Sequence, residues 1–226
     1  MRLGYLAEQD PMQWLLLLPV LLFSIVLHEV AHAWVARREG DDTAERLGRI
    51  TLNPIPHLDP IGSLLVPIIL SILPGGFIFG WARPVPVNRA NIRTGVWGDI
   101  RVSLAGITVN LLLAVCFAVA MVPLVRLVDP TGPARALLLV GYYGVLINLV
   151  LAVFNLVPIP PLDGSHVLYH MLPRGLRSPY RAIAPYGVVV LLLVMIFVPE
   201  GFSLVMRPVE FLLDLLFSTF GLSGRI

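Results

Sequence analysis

Residues 12–36 read MQWLLLLPVLLFSIVLHEVAHAWVA. At about 1.5 Å of rise per residue, a helix of this length crosses a roughly 30 Å hydrocarbon core. Trp14 supplies an interfacial aromatic at one end, and Arg37 and Arg38 supply charge just beyond the other. His28, Glu29 and His32 nevertheless lie inside the apolar run, where ionisable groups are costly and mark function by default. Their order is H-E-x-x-H. Residues four apart share a helical face, so both imidazoles can reach one ion while Glu29 sits beside them as a base for water.

The rest of the chain has the same character. Of 226 residues 57% are hydrophobic and 13% charged, and the mean hydropathy is +0.85. Globular proteins carry about 25% charge, so a soluble single domain, a disordered chain and a fibrous repeat are excluded. A polytopic membrane protein of one unit, residues 1–226, is expected. The net charge of +2 is too small to suggest nucleic acid, and all 16 basic residues are arginine. Cys116 is the single cysteine, which excludes a cysteine-ligated metal. Glu8 and Asp10 occupy the place of a basic leader segment, so no cleavable leader is expected.

Three further spans are expected over 103–125, 136–157 and 182–198, giving four firm crossings in an all-α fold. The segment 62–81 is apolar but interrupted by Pro67, Pro74, Gly75 and Gly76, which suits backbone buried in protein or lining a cavity. It is expected to be re-entrant or broken. Residues 83–88, with Pro84 and Pro86 flanking Val85, predict a small extended element. At the C-terminal end, Arg207, Glu210, Asp214 and Ser218 form a polar stripe on an apolar helix, which either lies at the interface or returns against the other helices.

Two imidazoles do not complete a catalytic zinc site, which uses three protein ligands. His57, Asp59, Asp99, Asp129, Asp163, His166 and His170 are candidates for the third, with Glu200, Glu210 and Asp214 farther along. Asp163 stands out by its setting, NLVPIPPLDG over 155–164, a proline-broken end of a span.

H-E-x-x-H in a membrane helix followed by N-x-x-P-x-x-P-L-D-G resembles the site-2 protease family of zinc intramembrane metalloproteases. The stretch GRITLNPIPHLDPIG over 48–62 looks like its minimal bacterial branch, without PDZ or CBS domains. The family's G-P-x-x-N appears as Gly106-Ile107-Thr108-Val109-Asn110, with Ile107 replacing the proline. The resemblance covers about residues 12–175, the expected catalytic core. It implies that His28, His32 and Asp163 bind one zinc ion, that Glu29 is the general base and that Asn155 holds the scissile carbonyl. It implies also a transmembrane protein substrate, a lipid bilayer around the chain and a regulatory partner in the membrane.

A metal shared by His28, His32 and Asp163 would put the ends of the first and third firm spans on one side. Residues 38–102 must then leave and rejoin that side. Arg37, Arg38, Arg46, Arg49, Arg83, Arg89, Arg93, Arg101, Arg174, Arg177 and Arg181 all fall there, against Arg2, Arg126, Arg135 and Arg207 opposite. Basic residues accumulate in the cytoplasm, so a cell-membrane protein with its N-terminus outside and its site open to the cytoplasm is expected. Asn110, Thr108 and Ser103 are candidates for a water channel or for interhelical bonding. Val85 and Val87 offer an edge for an unwound substrate, or a simple tether. His57 is a candidate lining residue, and His166 and His170 are candidates for interfacial groups or a second metal site. A metal transporter and a silent membrane scaffold are the competing functions; the first lacks a repeated half, and neither needs Glu29 between two ligands.

Overall fold

The computed structural model of the protein describes residues 11–66, 68–69, 80–127, 132–197 and 199–224. Among them every regular element is helical. Helix α1 spans Pro11–Arg38, the short α2 Thr43–Arg46, α3 Val96–Leu127 and α4 Gly132–Leu156. Within these, Leu15–Arg38, Val96–Arg126 and Ala134–Leu156 are long and apolar enough to cross a membrane. Leu15, Phe23, Leu112, Val119 and Leu137 stay exposed on their outer faces, a surface suited to lipid and not to water.

Close approach between the spans depends on small residues. A Cβ on Gly141 or Gly144 of α4 would run into Met121 or Phe117 of α3. The main core then forms from Ala114, Ala118 and Met121 of α3 with Val145, Leu149 and Val153 of α4. α1 joins the bundle through Val20, which packs with Tyr143 and Ile147 of α4.

Four further helices follow: α5 Asp163–Met171, α6 Arg174–Ala182, α7 Gly187–Phe197 and α8 Pro199–Phe220. The fourth crossing expected over 182–198 is not found as one long helix. A 3-10 turn at Ala184–Tyr186, centred on Pro185, breaks the segment, and the 11 residues of α7 cover only about 16 Å. α8 returns against the bundle, with Met206, Val209, Leu213 and Phe217 buried in the main core and Arg207, Glu210, Asp214 and Ser218 turned outward.

The extended element expected at 83–88 is not a strand; the chain there is irregular. Pro84 and Pro86 have no N–H to give a ladder, and the intervening Val85 N–H is bonded elsewhere, as described below. Most of the expected re-entrant segment, 67 and 70–79, lies outside the described residues. Its two ends meet: the Trp81 N–H donates to the Gly62 carbonyl at 3.1 Å, and the Ser63 hydroxyl donates to the Trp81 carbonyl at 2.9 Å.

Candidate metal centre

The C-terminal half of α1, the N-terminal part of α3 and the turn from α4 into α5 converge on one point. Nε2 of His28 lies 3.0 Å from Nε2 of His32. Oδ2 of Asp163 lies 3.2 Å from each. Gly106 of α3 makes room for them, since a Cβ there would stand 2.5 Å from the His28 ring and from His32 Nε2. Gly164 serves the same end beside Asp163: a Cβ on it would strike the Leu156 carbonyl at the close of α4.

The second nitrogen of each ring decides what this cluster is for. His28 Nδ1 donates to Asn110 Oδ1 at 2.5 Å, and His32 Nδ1 donates to the Val102 carbonyl at 2.7 Å. With both Nδ1 atoms protonated, both Nε2 lone pairs face each other and a carboxylate oxygen. Three acceptors without a donor repel, and Asp163 Oδ2 is buried with no hydrogen-bond partner. A cation removes the conflict. Ligands at about 2.0–2.2 Å from a tetrahedral zinc stand roughly 3.3 Å apart, close to the separations here. The three form the group able to hold a metal among the described residues.

Behind His28 a fully buried polar chain crosses all three spans. Asn110 Nδ2 donates to Asn148 Oδ1 at 2.8 Å. Asn148 Nδ2 donates in turn to Ser24 Oγ at 2.8 Å and to the Gly144 carbonyl at 2.8 Å. Each bond fixes the orientation of the next amide, so Asn110 must present its oxygen to His28. Asn110 is therefore an interhelical group here. Asn148 and Ser24 escaped the sequence reading, because one polar residue in an apolar span carries no sign of its partner.

Glu29, half-buried at the edge of the cluster, accepts the Val85 N–H at Oε2, 2.8 Å away. The Val85 side chain is buried against Ala33 and Ala44, and Val87 is half-buried beside them. Arg49 holds this segment from behind through Nη2, which donates to the Arg83 carbonyl at 2.7 Å and to the Pro84 carbonyl at 3.3 Å. At its far end the buried Asp41 carboxylate accepts the Asn88 N–H at 2.6 Å and the Asn91 side chain at 3.1 Å.

Other candidates lie elsewhere. His57 is buried in the preceding loop, where Nε2 donates to the Thr51 carbonyl at 3.0 Å and its own carbonyl accepts the Arg83 N–H at 2.8 Å. Asn155 donates to the Leu151 carbonyl of its own helix at 2.9 Å, leaving the second N–H of the amide. His166 and His170 do not form a metal group with each other. His170 Nε2 pairs with Asp99 at 2.7 Å, and Arg89, 3.2 Å from Asp99, donates to the His166 ring at 2.6 Å. Asp129, also a candidate ligand, lies outside the described residues.

A multi-pass helical membrane protein with a buried two-histidine, one-carboxylate cluster and a glutamate at its edge is the class that fold and site define. Residues 134–198 match the family model described as Peptidase family M50. The chain is 40% identical over 178 residues to "Putative zinc metalloprotease YwhC" of Bacillus subtilis, covering 78% of each protein. It is 35% identical over 172 residues to "Putative zinc metalloprotease Rip2" of Mycolicibacterium smegmatis, a match of 73% of this chain and 59% of that one. No solved structure matches. The chain belongs to peptidase family M50, the site-2 protease family of metallopeptidases.

Proposed function

We propose that this protein is a zinc-dependent intramembrane endopeptidase that cuts a transmembrane protein substrate in or near its membrane segment. The observation that carries the reading is the convergence of His28 Nε2, His32 Nε2 and Asp163 Oδ2 within 3.0–3.2 Å, with no proton to share, beside Glu29. His28, His32 and Asp163 would hold the zinc, within a catalytic core of residues 12–175. When bound, the ion acidifies water and stabilises charge growing on a carbonyl oxygen.

The chain's own groups do the rest. Glu29 takes the proton of the attacking water at Oε1, the oxygen not engaged by Val85, and returns it to the leaving amide nitrogen. The Val85 N–H fixes the carboxylate in place. Asn155 uses its remaining N–H to hold the scissile carbonyl. An unwound substrate lies along the irregular 83–88 segment, which is pinned by Arg49 and Asp41 and whose Val85 and Val87 carbonyls accept no hydrogen bond among the described residues. The arginine distribution supports an N-terminus outside the cell and a site reached by water from the cytoplasm.

The test is reconstitution with a transmembrane substrate. Wild-type protein should cleave it, and Glu29→Gln should lower turnover by about 100-fold or more with zinc still bound. Stripping the zinc with a chelator should abolish cleavage, and adding it back should restore it. Cleavage that survives either treatment would remove the proposal.

A further inference from the structure

Four of the eleven arginines on the metal side of the molecule have carboxylate partners among the described residues. Arg37 pairs with Glu45, Arg46 with Asp42, Arg89 with Asp99 and Arg101 with Glu39. Arg174, Arg177 and Arg181 of α6 have none among the described residues, and residues 164–199 contain no acid at all. Their spacings of three and four put them on one helical face. There they line a cavity of about 580 Å³ together with Tyr169, Ser178 and Ala182.

The depression is open to the surface, and its central arginine is held in place. Arg177 is anchored by Nε to the Leu172 carbonyl and by Nη2 to the His170 carbonyl, each at 3.0 Å. Its guanidinium carbon lies 5.6 Å from the centre of the Tyr169 ring, and that of Arg181 lies 4.6 Å from it. Two cations share one aromatic ring with no counter-charge beside them among the described residues, an arrangement that an anion relieves.

The surroundings say which anion. Met171, Leu176, Ile183 and Tyr186 are exposed around α6, at 75%, 54%, 44% and 66%, and the chain runs on directly into the apolar α7. An anion that arrives with acyl chains covers this apolar rim, whereas a free phosphate leaves it bare. We propose that the α6 cavity binds the phosphodiester headgroup of an anionic phospholipid, with the acyl chains lying over Leu176, Ile183 and α7. The proposal goes beyond the peptidase activity and rests only on the chain being membrane-embedded. Bound lipid would brace α6, whose Tyr180 hydroxyl donates to the Pro158 carbonyl at 2.9 Å, in the turn that leads to Asp163.

The experiment uses the full chain in neutral detergent, with phosphatidylglycerol, phosphatidylcholine, inorganic phosphate or a soluble glutamate-rich peptide as probe. Bound lipid is read by native mass spectrometry and stability by the thermal midpoint. Phosphatidylglycerol should be retained and should raise the midpoint, and the other three should not. Arg174→Gln with Arg181→Gln should weaken retention on the order of 10- to 30-fold, leaving zinc content and the lipid-free midpoint unchanged. Arg126→Gln with Arg207→Gln removes the same charge elsewhere and should retain lipid like wild type. The proposal fails if the α6 variant retains lipid normally, or if the control loses it equally. It fails also if phosphatidylcholine binds as well, or if phosphate or the acidic peptide stabilises as strongly, which would assign the cavity to a free anion or a protein partner.

Discussion

Asn148 touches neither imidazole, yet it decides which way Asn110 faces His28. Replacing it with leucine leaves Asn110 Nδ2 without an acceptor in a fully buried place, and the amide is then free to flip and turn a donor toward His28. Asn148→Leu should therefore weaken zinc binding by roughly tenfold, and Asn110→Leu by up to about 100-fold; competition with a graded chelator measures both. His166 gives the residue scale its pH dependence. Burial first, and then the Arg89 guanidinium, push its imidazole down to about 4. A base with a lowered folded pKa favours the native state fully above its unfolded value of about 6.5 and loses that contribution as the pH falls toward 4. Thermal midpoints should decline over that window in wild type, and less in His166→Gln.

In the proposed mechanism the segment 83–88 acts without regular secondary structure. Its position rests on Arg49 at one end and Asp41 at the other, and its one interior contact with the chemistry is the Val85 N–H on Glu29. Arg49→Gln loosens the near end, so turnover should fall about 10- to 100-fold while zinc content stays at wild-type level; parallel activity and metal assays check this. The H-E-x-x-H turn was legible because three chemical groups lie on one turn of one helix. Asp163 was legible because prolines and Gly164 mark its place at the end of a span. The Val85 contact was not legible, since a backbone donor has no side-chain signature. The chain Ser24, Asn148, Asn110 was hidden for a related reason: its partners lie on three different helices. The misread fourth span has another cause. Hydropathy summed over 182–198 counts apolar residues and takes no account of the turn that Pro185 imposes.

For the whole molecule, the outward leucines of α1 and α3, with Phe23, make the bilayer part of the fold. Cys116 of α3 is exposed among them, so it should face acyl chains. In vesicles a charged maleimide should leave it unlabelled and a lipophilic one should modify it, whereas in detergent-unfolded protein both should react. The connectivity of the centre also sets a timetable. His28, Glu29 and His32 emerge early in synthesis, while Asp163 comes only after α3 and α4, and Gly106 and Asn110 must be seated against the first helix meanwhile. Under the proposed function, a nascent chain would carry its base and two ligands through the insertion machinery with no means of using them. On that proposal, freshly inserted neighbours would be safe from it until Asp163, at the start of α5, has been made.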